Sequence, residues 1–152
     1  MTKLDKNMKI VIIAGGMSDE RSVSLETGKM MYEAVIKGGY KNTQFIDVDF
    51  NLDIVLREFE PDVVINGLHG KYGEDGTVQG LLEMLQIPYT NSGVSASAFG
   101  MDKFVARAVM KELGIKIAEG TCLTINSLVK PPFDFPLVLK DPLNGSSRGI
   151  YE

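Results

Sequence analysis

The chain has 152 residues, 44% hydrophobic and 24% charged, with a formal net charge of −4. That balance supports one ordinary core or two small ones and excludes a disordered chain. The acidic net charge disfavours nonspecific binding to nucleic acid or an anionic membrane, so any anion site has to be built locally.

Lys9-Ile-Val-Ile-Ile-Ala14 is a β-branched run ending in Gly15-Gly16, as a buried parallel strand would. The polar turn Met17-Ser-Asp-Glu-Arg21 leads into a helix in which Val23, Thr27, Met30, Met31, Ala34 and Val35 share one face, and Gly38-Gly39 ends it. Residues 43–48 read as a second strand, residues 51–60 as a short helix stopped by Pro61, and residues 62–66 as a third strand. This β-α-β-α-β order predicts an α/β fold built on a parallel sheet with right-handed crossovers.

A helix is expected over residues 78–86, then a short strand at Ile87-Pro88-Tyr89-Thr90 and a turn at Asn91-Ser92-Gly93. Residues 95–99 and 102–113 read as helical. In the second of these Asp102 suits the N-cap, Val105, Ala108, Val109 and Leu113 point inward, and Gly114 closes the helix. Residues 121–125 and 136–140 are strand-like, followed by the loop Leu143-Asn-Gly-Ser-Ser-Arg-Gly149. The last residues, Ile150-Tyr-Glu152, give that loop no visible second flank in the sequence, so an incomplete polypeptide is expected.

The single Cys122 excludes an intrachain disulfide and fits a reducing cytosol, and one cysteine with one histidine makes no metal cluster. No apolar run suits a bilayer span or a signal peptide, so a cytoplasmic location is expected.

Four patches could carry chemistry. Gly15 to Ser24 lies at the end of the first strand, where glycines admit a ligand to the backbone and Glu20 could hold an ammonium group. Alone it reads slightly better as a tight turn with Ser22 or Ser24 capping the helix and Glu20–Arg21 solvated, because the glycine pattern is not the dinucleotide fingerprint. The second patch is His69-Gly-Lys-Tyr-Gly-Glu-Asp-Gly76, between a strand end and a helix start, where open α/β sheets bind ligands. His69 reads there as a substrate contact, and Glu74-Asp75 as caps for the following helix.

Lys103 sits in a first helical turn, the wrong end for the helix dipole, as though aimed at an anion. Lys140 ends a strand and is followed by the Gly145-Ser146-Ser147-Arg148-Gly149 loop. That loop is either a phosphate grip or a flexible hairpin tip, and it is not a Walker A loop.

In this order the segments Gly-Gly-Met-Ser-Asp-Glu-Arg-Ser-Val-Ser-Leu, His-Gly-Lys-Tyr-Gly-Glu-Asp-Gly, Ile-Pro-Tyr-Thr-Asn-Ser-Gly-Val-Ser-Ala-Ser-Ala, Met-Asp-Lys and Leu-Lys…Gly-Ser-Ser-Arg-Gly closely resemble D-alanine–D-alanine ligase of the ATP-grasp superfamily. The resemblance runs from Lys9 to Gly149 and covers the amino-terminal half of a family member. Asp141 departs from it, standing where proline is usual, as does Asn91, where glycine is common.

The resemblance implies a Rossmann-like parallel-sheet domain over residues 1–95 and the first, incomplete part of an ATP-grasp domain over residues 96–152. It implies that ATP phosphorylates one D-alanine and that the amine of a second attacks the acyl phosphate, for peptidoglycan precursor synthesis. Glu20 would hold the first D-alanine's ammonium group, Val23 and Ser24 would line that subsite, and His69 would lie near its carboxyl group. Lys103, Lys140, Ser146 and Ser147 would bind ATP, with Ser146 also hydrogen-bonded to Glu20. The magnesium ligands, most of the adenine pocket and an oxyanion-stabilising arginine would lie in the other half, which leaves this chain alone without turnover. By resemblance a homodimer is expected. The competing readings are a non-catalytic module that binds an amino acid or dipeptide and, more weakly, a dimerisation piece.

Overall fold

The computed structural model describes residues 5–124, 133–146 and 149–152. They divide into two compact units, Met1–Ala98 and Phe99–Glu152.

In the first unit a parallel sheet of order β2-β1-β3 is formed by β1 (Ile10–Ala14), β2 (Thr43–Asp47) and β3 (Val63–Asn66). β1 is central and buried along its whole length, which is why its sequence is apolar at every position instead of alternating. Ile12 pairs in register with Phe45 and Ile65. The expected fourth strand is reduced to one parallel bridge, Val64 to Tyr89, with Val64 N–H donating to Pro88 O at 2.8 Å. Pro88 has no N–H to extend the ladder.

Successive side chains of a strand face opposite sides, and the two faces of this sheet are covered differently. Val11, Ile13, Ile46 and Val64 join Leu52 and Leu56 of α2 (Leu52–Phe59) and Val78 and Leu82 of α3 (Thr77–Met84) in one core cluster. The other face carries α1 (Arg21–Lys37), which packs on β1 and β2.

The inward side of α1 is not the one its apolar pattern predicts. Ser24 and Gly28 are buried, whereas Val23 and Met30 are 49% and 65% exposed. The reason is a close approach. A Cβ on Gly28 would lie 2.3 Å from Ala14 Cβ and 2.9 Å from the Phe45 ring. Small residues let the helix axis come down onto the strand, and the larger apolar side chains are left on the flanks.

The second unit contains the end of α4 (Val94–Met101), which begins in the first unit, together with α5 (Lys103–Glu112) and the antiparallel pair β4 (Leu139–Lys140) and β5 (Ile150–Tyr151). Asp102 caps α5 as expected, its carboxylate accepting from Phe104 N–H at 2.9 Å and Val105 N–H at 3.1 Å. The predicted inward stripe is corrected: Val105 is half-buried, but Ala108, Val109 and Leu113 are exposed, and no residue of α5 is buried.

Residues 121–124 form no strand, and Ile125 lies outside the described residues. The loop after Lys140 does have a second flank, because Leu139 pairs with Tyr151 and Lys140 with Ile150. No helix among the described residues is long and apolar enough to cross a membrane.

Candidate functional site: a polar cluster at the carboxyl edge of the sheet

The carboxyl ends of β1 and β3 leave the sheet side by side, and one hydroxyl ties them together. Ser24 Oγ accepts from Gly15 N–H at 2.8 Å and donates to Gly67 O at 2.8 Å, and the side chain is fully buried. Ser24 is therefore neither a helix cap nor free to touch a ligand. It fixes the spacing of the two segments that carry the site.

Glu20 stands at the N-cap of α1 without a side-chain cap bond and is only 6% exposed. The solvated Glu20–Arg21 alternative is corrected accordingly: Glu20 is buried, and Arg21 reaches away to pair with Asp47 at the end of β2. Both guanidinium Nη atoms meet that carboxylate, and Nη1 also donates to Gly16 O at 3.1 Å. This two-pronged bond spans 26 residues and pins the Gly15–Arg21 turn against β2.

His69 follows β3 and is half-buried. Its Nε2 lies 3.0 Å from Thr27 Oγ1 of α1, and its carbonyl accepts from Ser18 Oγ at 2.7 Å. Gly70 turns the chain with φ +70°, and a Cβ there would stand 3.1 Å from Glu20 Oε1. Glycine thus lets the His69 segment pass directly over the Glu20 carboxylate. The structure brings Glu20 and His69 to one place, together with Ser18 and Thr27, which sequence reasoning did not mark as site residues. Val23 lies on α1 beside them in sequence and is exposed.

The loop leading to α3 is braced from within. Asn66 accepts from Leu68 N–H at 2.9 Å and donates to Gly73 O at 2.9 Å, while Gln79 of α3 donates to the same carbonyl at 2.8 Å. Glu74 does not cap α3 but accepts from Gly70 N–H at 2.6 Å. Asp75, one residue before the Gly76 N-cap of α3, accepts from Thr77 N–H at 3.0 Å and from Tyr72 N–H at 2.9 Å. Burial pushes the Asp75 carboxyl upward, but these hydrogen bonds outweigh it and hold the group below the ordinary carboxylate range.

The Arg21 hydrogen bonds likewise depress Asp47. A carboxyl lowered in the folded state stabilises above its unfolded value and loses that contribution as pH falls through its folded value. The urea midpoint is therefore expected to fall as pH drops below about 4. Asp47→Asn and Asp75→Asn should each flatten that fall, and a slope unchanged in both variants would refute the assignment.

In the second unit Lys103, Lys140 and Ser146 gather around the loop joining β4 to β5. Lys103 N–H donates to Pro142 O at 3.0 Å and its Nζ donates to Asn144 O, so α5 begins against the loop. Its ammonium group thus meets a backbone carbonyl, which accounts for a lysine at the unfavourable end of the helix. Asp141 shapes the loop by accepting from Leu143 N–H and from Asn144 Nδ2, each at 2.9 Å. Lys140 and Ser146 are exposed, Ser146 has φ +49°, and Ser147 lies outside the described residues. No group of three His, Cys, Asp or Glu side chains able to hold a metal ion occurs among the described residues.

A buried carboxylate and an imidazole thus stand at the carboxyl edge of a parallel α/β sheet, the edge at which open α/β sheets bind ligands. The family model described as D-ala D-ala ligase N-terminus matches residues 51–92. A D-alanine–D-alanine ligase of Sinorhizobium medicae is 45% identical over 93% of this chain and 46% of its own length. One from Granulibacter bethesdensis is 41% identical over 94% of this chain and 47% of its own length. A solved D-alanine–D-alanine ligase from Bacillus anthracis superposes with a TM-score of 0.76 at 37% identity, covering 95% of this chain and 48% of that one. The chain spans about half the length of the relatives it matches, and over nearly all of its own length it is similar to D-alanine–D-alanine ligases.

Proposed function

We propose that this chain supplies the first amino-acid subsite and the start of the phosphate grip of an ATP-dependent D-alanine–D-alanine ligase. The observation that carries the reading is the buried Glu20 carboxylate beside Gly70 and His69. A small zwitterion needs a carboxylate for its ammonium group and a donor for its carboxylate, and that edge of the sheet offers both. In this reading the Met1–Ala98 unit is the substrate domain, set at residues 1–95 from sequence. The Phe99–Glu152 unit is the beginning of the nucleotide-binding domain, with Lys103, Lys140, Ser146 and Ser147 directed to ATP phosphates.

Bound ATP would supply an activated phosphoryl group, and the two ammonium groups would balance its charge. An ATP-bound D-alanine–D-alanine ligase from Bacillus anthracis, similar to this chain at 36% identity and a TM-score of 0.72, supports the assignment. Peptidoglycan precursor synthesis and a cytoplasmic setting go with this activity. In this reading magnesium would be held by carboxylates of the half of such a ligase that this chain does not span.

Calorimetry with D-alanine tests the reading. The 152-residue chain should bind D-alanine, and Glu20→Gln should weaken it by about tenfold or more, the effect of losing a hydrogen-bonded ion pair. Since the chain spans about half its relatives' length, phosphate release from ATP and D-alanine should stay at background. Absence of D-alanine binding by the unaltered chain would remove the proposal.

A further inference from the structure

The Thr27 hydroxyl is a second hold on His69, beside the one that Ser18 has on its carbonyl. Thr27 is half-buried on α1, about one turn beyond Ser24 and two beyond Glu20, and its hydroxyl lies 3.0 Å from His69 Nε2. A helical threonine ordinarily donates its proton to the carbonyl one turn back. Among the described residues, however, the only hydrogen-bond partner of this hydroxyl is the imidazole, and His69 Nδ1 has no partner.

A neutral imidazole carries one N–H and one lone pair. If Nε2 held the proton, the threonine proton would have no acceptor among the described residues, and Nδ1 would present a lone pair to any incoming carboxylate. If the hydroxyl donates to Nε2, both groups are satisfied and Nδ1–H becomes a donor.

We propose that Thr27 is a positioning residue. Its hydroxyl donates to His69 Nε2 and locks the Nδ1–H tautomer, so that the ring offers an N–H to the carboxylate of an amino acid whose ammonium group is held by Glu20. Ser18, which holds the His69 carbonyl at 2.7 Å, fixes the backbone while Thr27 fixes the ring. The amino-acid part of this inference rests on the D-alanine reading above, whereas the tautomer part concerns the unliganded chain.

The chain has one histidine, so its ring nitrogens give a single, unambiguous set of NMR signals. Nitrogen shifts and couplings at the alkaline end of the ring's titration should show the Nδ1–H form in the unaltered chain. In Thr27→Val, an isosteric change on the helix, they should move toward the Nε2–H form that free side chains favour in water. In Thr27→Ser, which keeps the hydroxyl, they should stay near the unaltered values. D-alanine affinity should fall about tenfold in Thr27→Val and be retained in Thr27→Ser.

An Nε2–H ring in the unaltered chain, or no difference between the valine and serine variants, overturns the positioning role. A ring unmoved by D-alanine in the unaltered chain overturns the substrate reading, and the tautomer comparison still decides what Thr27 does.

Discussion

Ser24→Ala is expected to destabilise the chain by roughly 2–4 kcal/mol, although it removes a single oxygen atom. The hydroxyl is the only hydrogen-bond partner found for Gly15 N–H and Gly67 O among the described residues, both at 2.8 Å in a fully buried position. Its loss orphans a buried donor and a buried acceptor at once, each costing about 1–3 kcal/mol. Alanine's better helix propensity offsets only a few tenths of a kcal/mol of this. Ser22→Ala, one residue pair away on the exposed side of the same helix, should change stability by less than about 0.5 kcal/mol.

Urea unfolding of the two variants makes the comparison, and equal midpoints would show that the bridge carries no weight. The effect should reach function as well. Gly67 leads directly to His69, and Gly15 leads to the turn that carries Glu20, so a widened gap between the strand ends separates the two groups proposed to hold the amino acid.

β1 and β3 were legible because each is a short β-branched run bounded by glycine, proline or a polar turn. The buried side of α1 was not. Hydropathy ranks Ser24 and Gly28 as poor core residues, yet they are buried because they are small, and the apolar Val23 and Met30 lie in solvent. β4 fell inside the strand expected over residues 136–140, whereas β5 and its pairing were missed because two residues are too few to show a period.

At the site, Glu20 and His69 were visible as chemistry-bearing residues next to glycines. Their supports were not, because nothing local marks a threonine at position 27 as the partner of a histidine 42 residues away. Arg21 misled for the same reason. Its neighbour in sequence is Glu20, but its partner is Asp47, which only the parallel pairing of β1 with β2 brings within reach. The glycine pattern held a signal that could have been used: Gly28 and Gly67 recur where a helix and a strand end meet, with Gly28 Cα 3.4 Å from a Cβ built at Gly67.

Gly28→Ala carries the second large effect, and its sign runs against helix propensity. On an exposed helix face the change would stabilise by up to about 1 kcal/mol. Here the new methyl would stand 2.3 Å from Ala14 Cβ, well inside the 3.5–4.0 Å of an ordinary carbon contact, and 2.9 Å from Phe45 Cε2. The Phe45 ring can turn, but Ala14 Cβ is fixed to the central strand, so α1 itself has to lift. Overpacking of this kind costs roughly 1–3 kcal/mol, and the lift also strains the Ser24 bridge one turn away.

A net loss of about 1–3 kcal/mol is therefore expected, with a larger loss for Gly28→Val. Ala14→Gly provides the decisive arm. By itself it should destabilise by about 0.5–1 kcal/mol, because glycine weakens a strand. In the Gly28→Ala background it should stabilise, because it removes the atom that the new methyl strikes. That inversion of sign is measurable as a coupling energy in a double-mutant cycle by urea unfolding. Simple additivity would mean that the helix and the central strand are not packed as tightly as the Ser24 bridge requires.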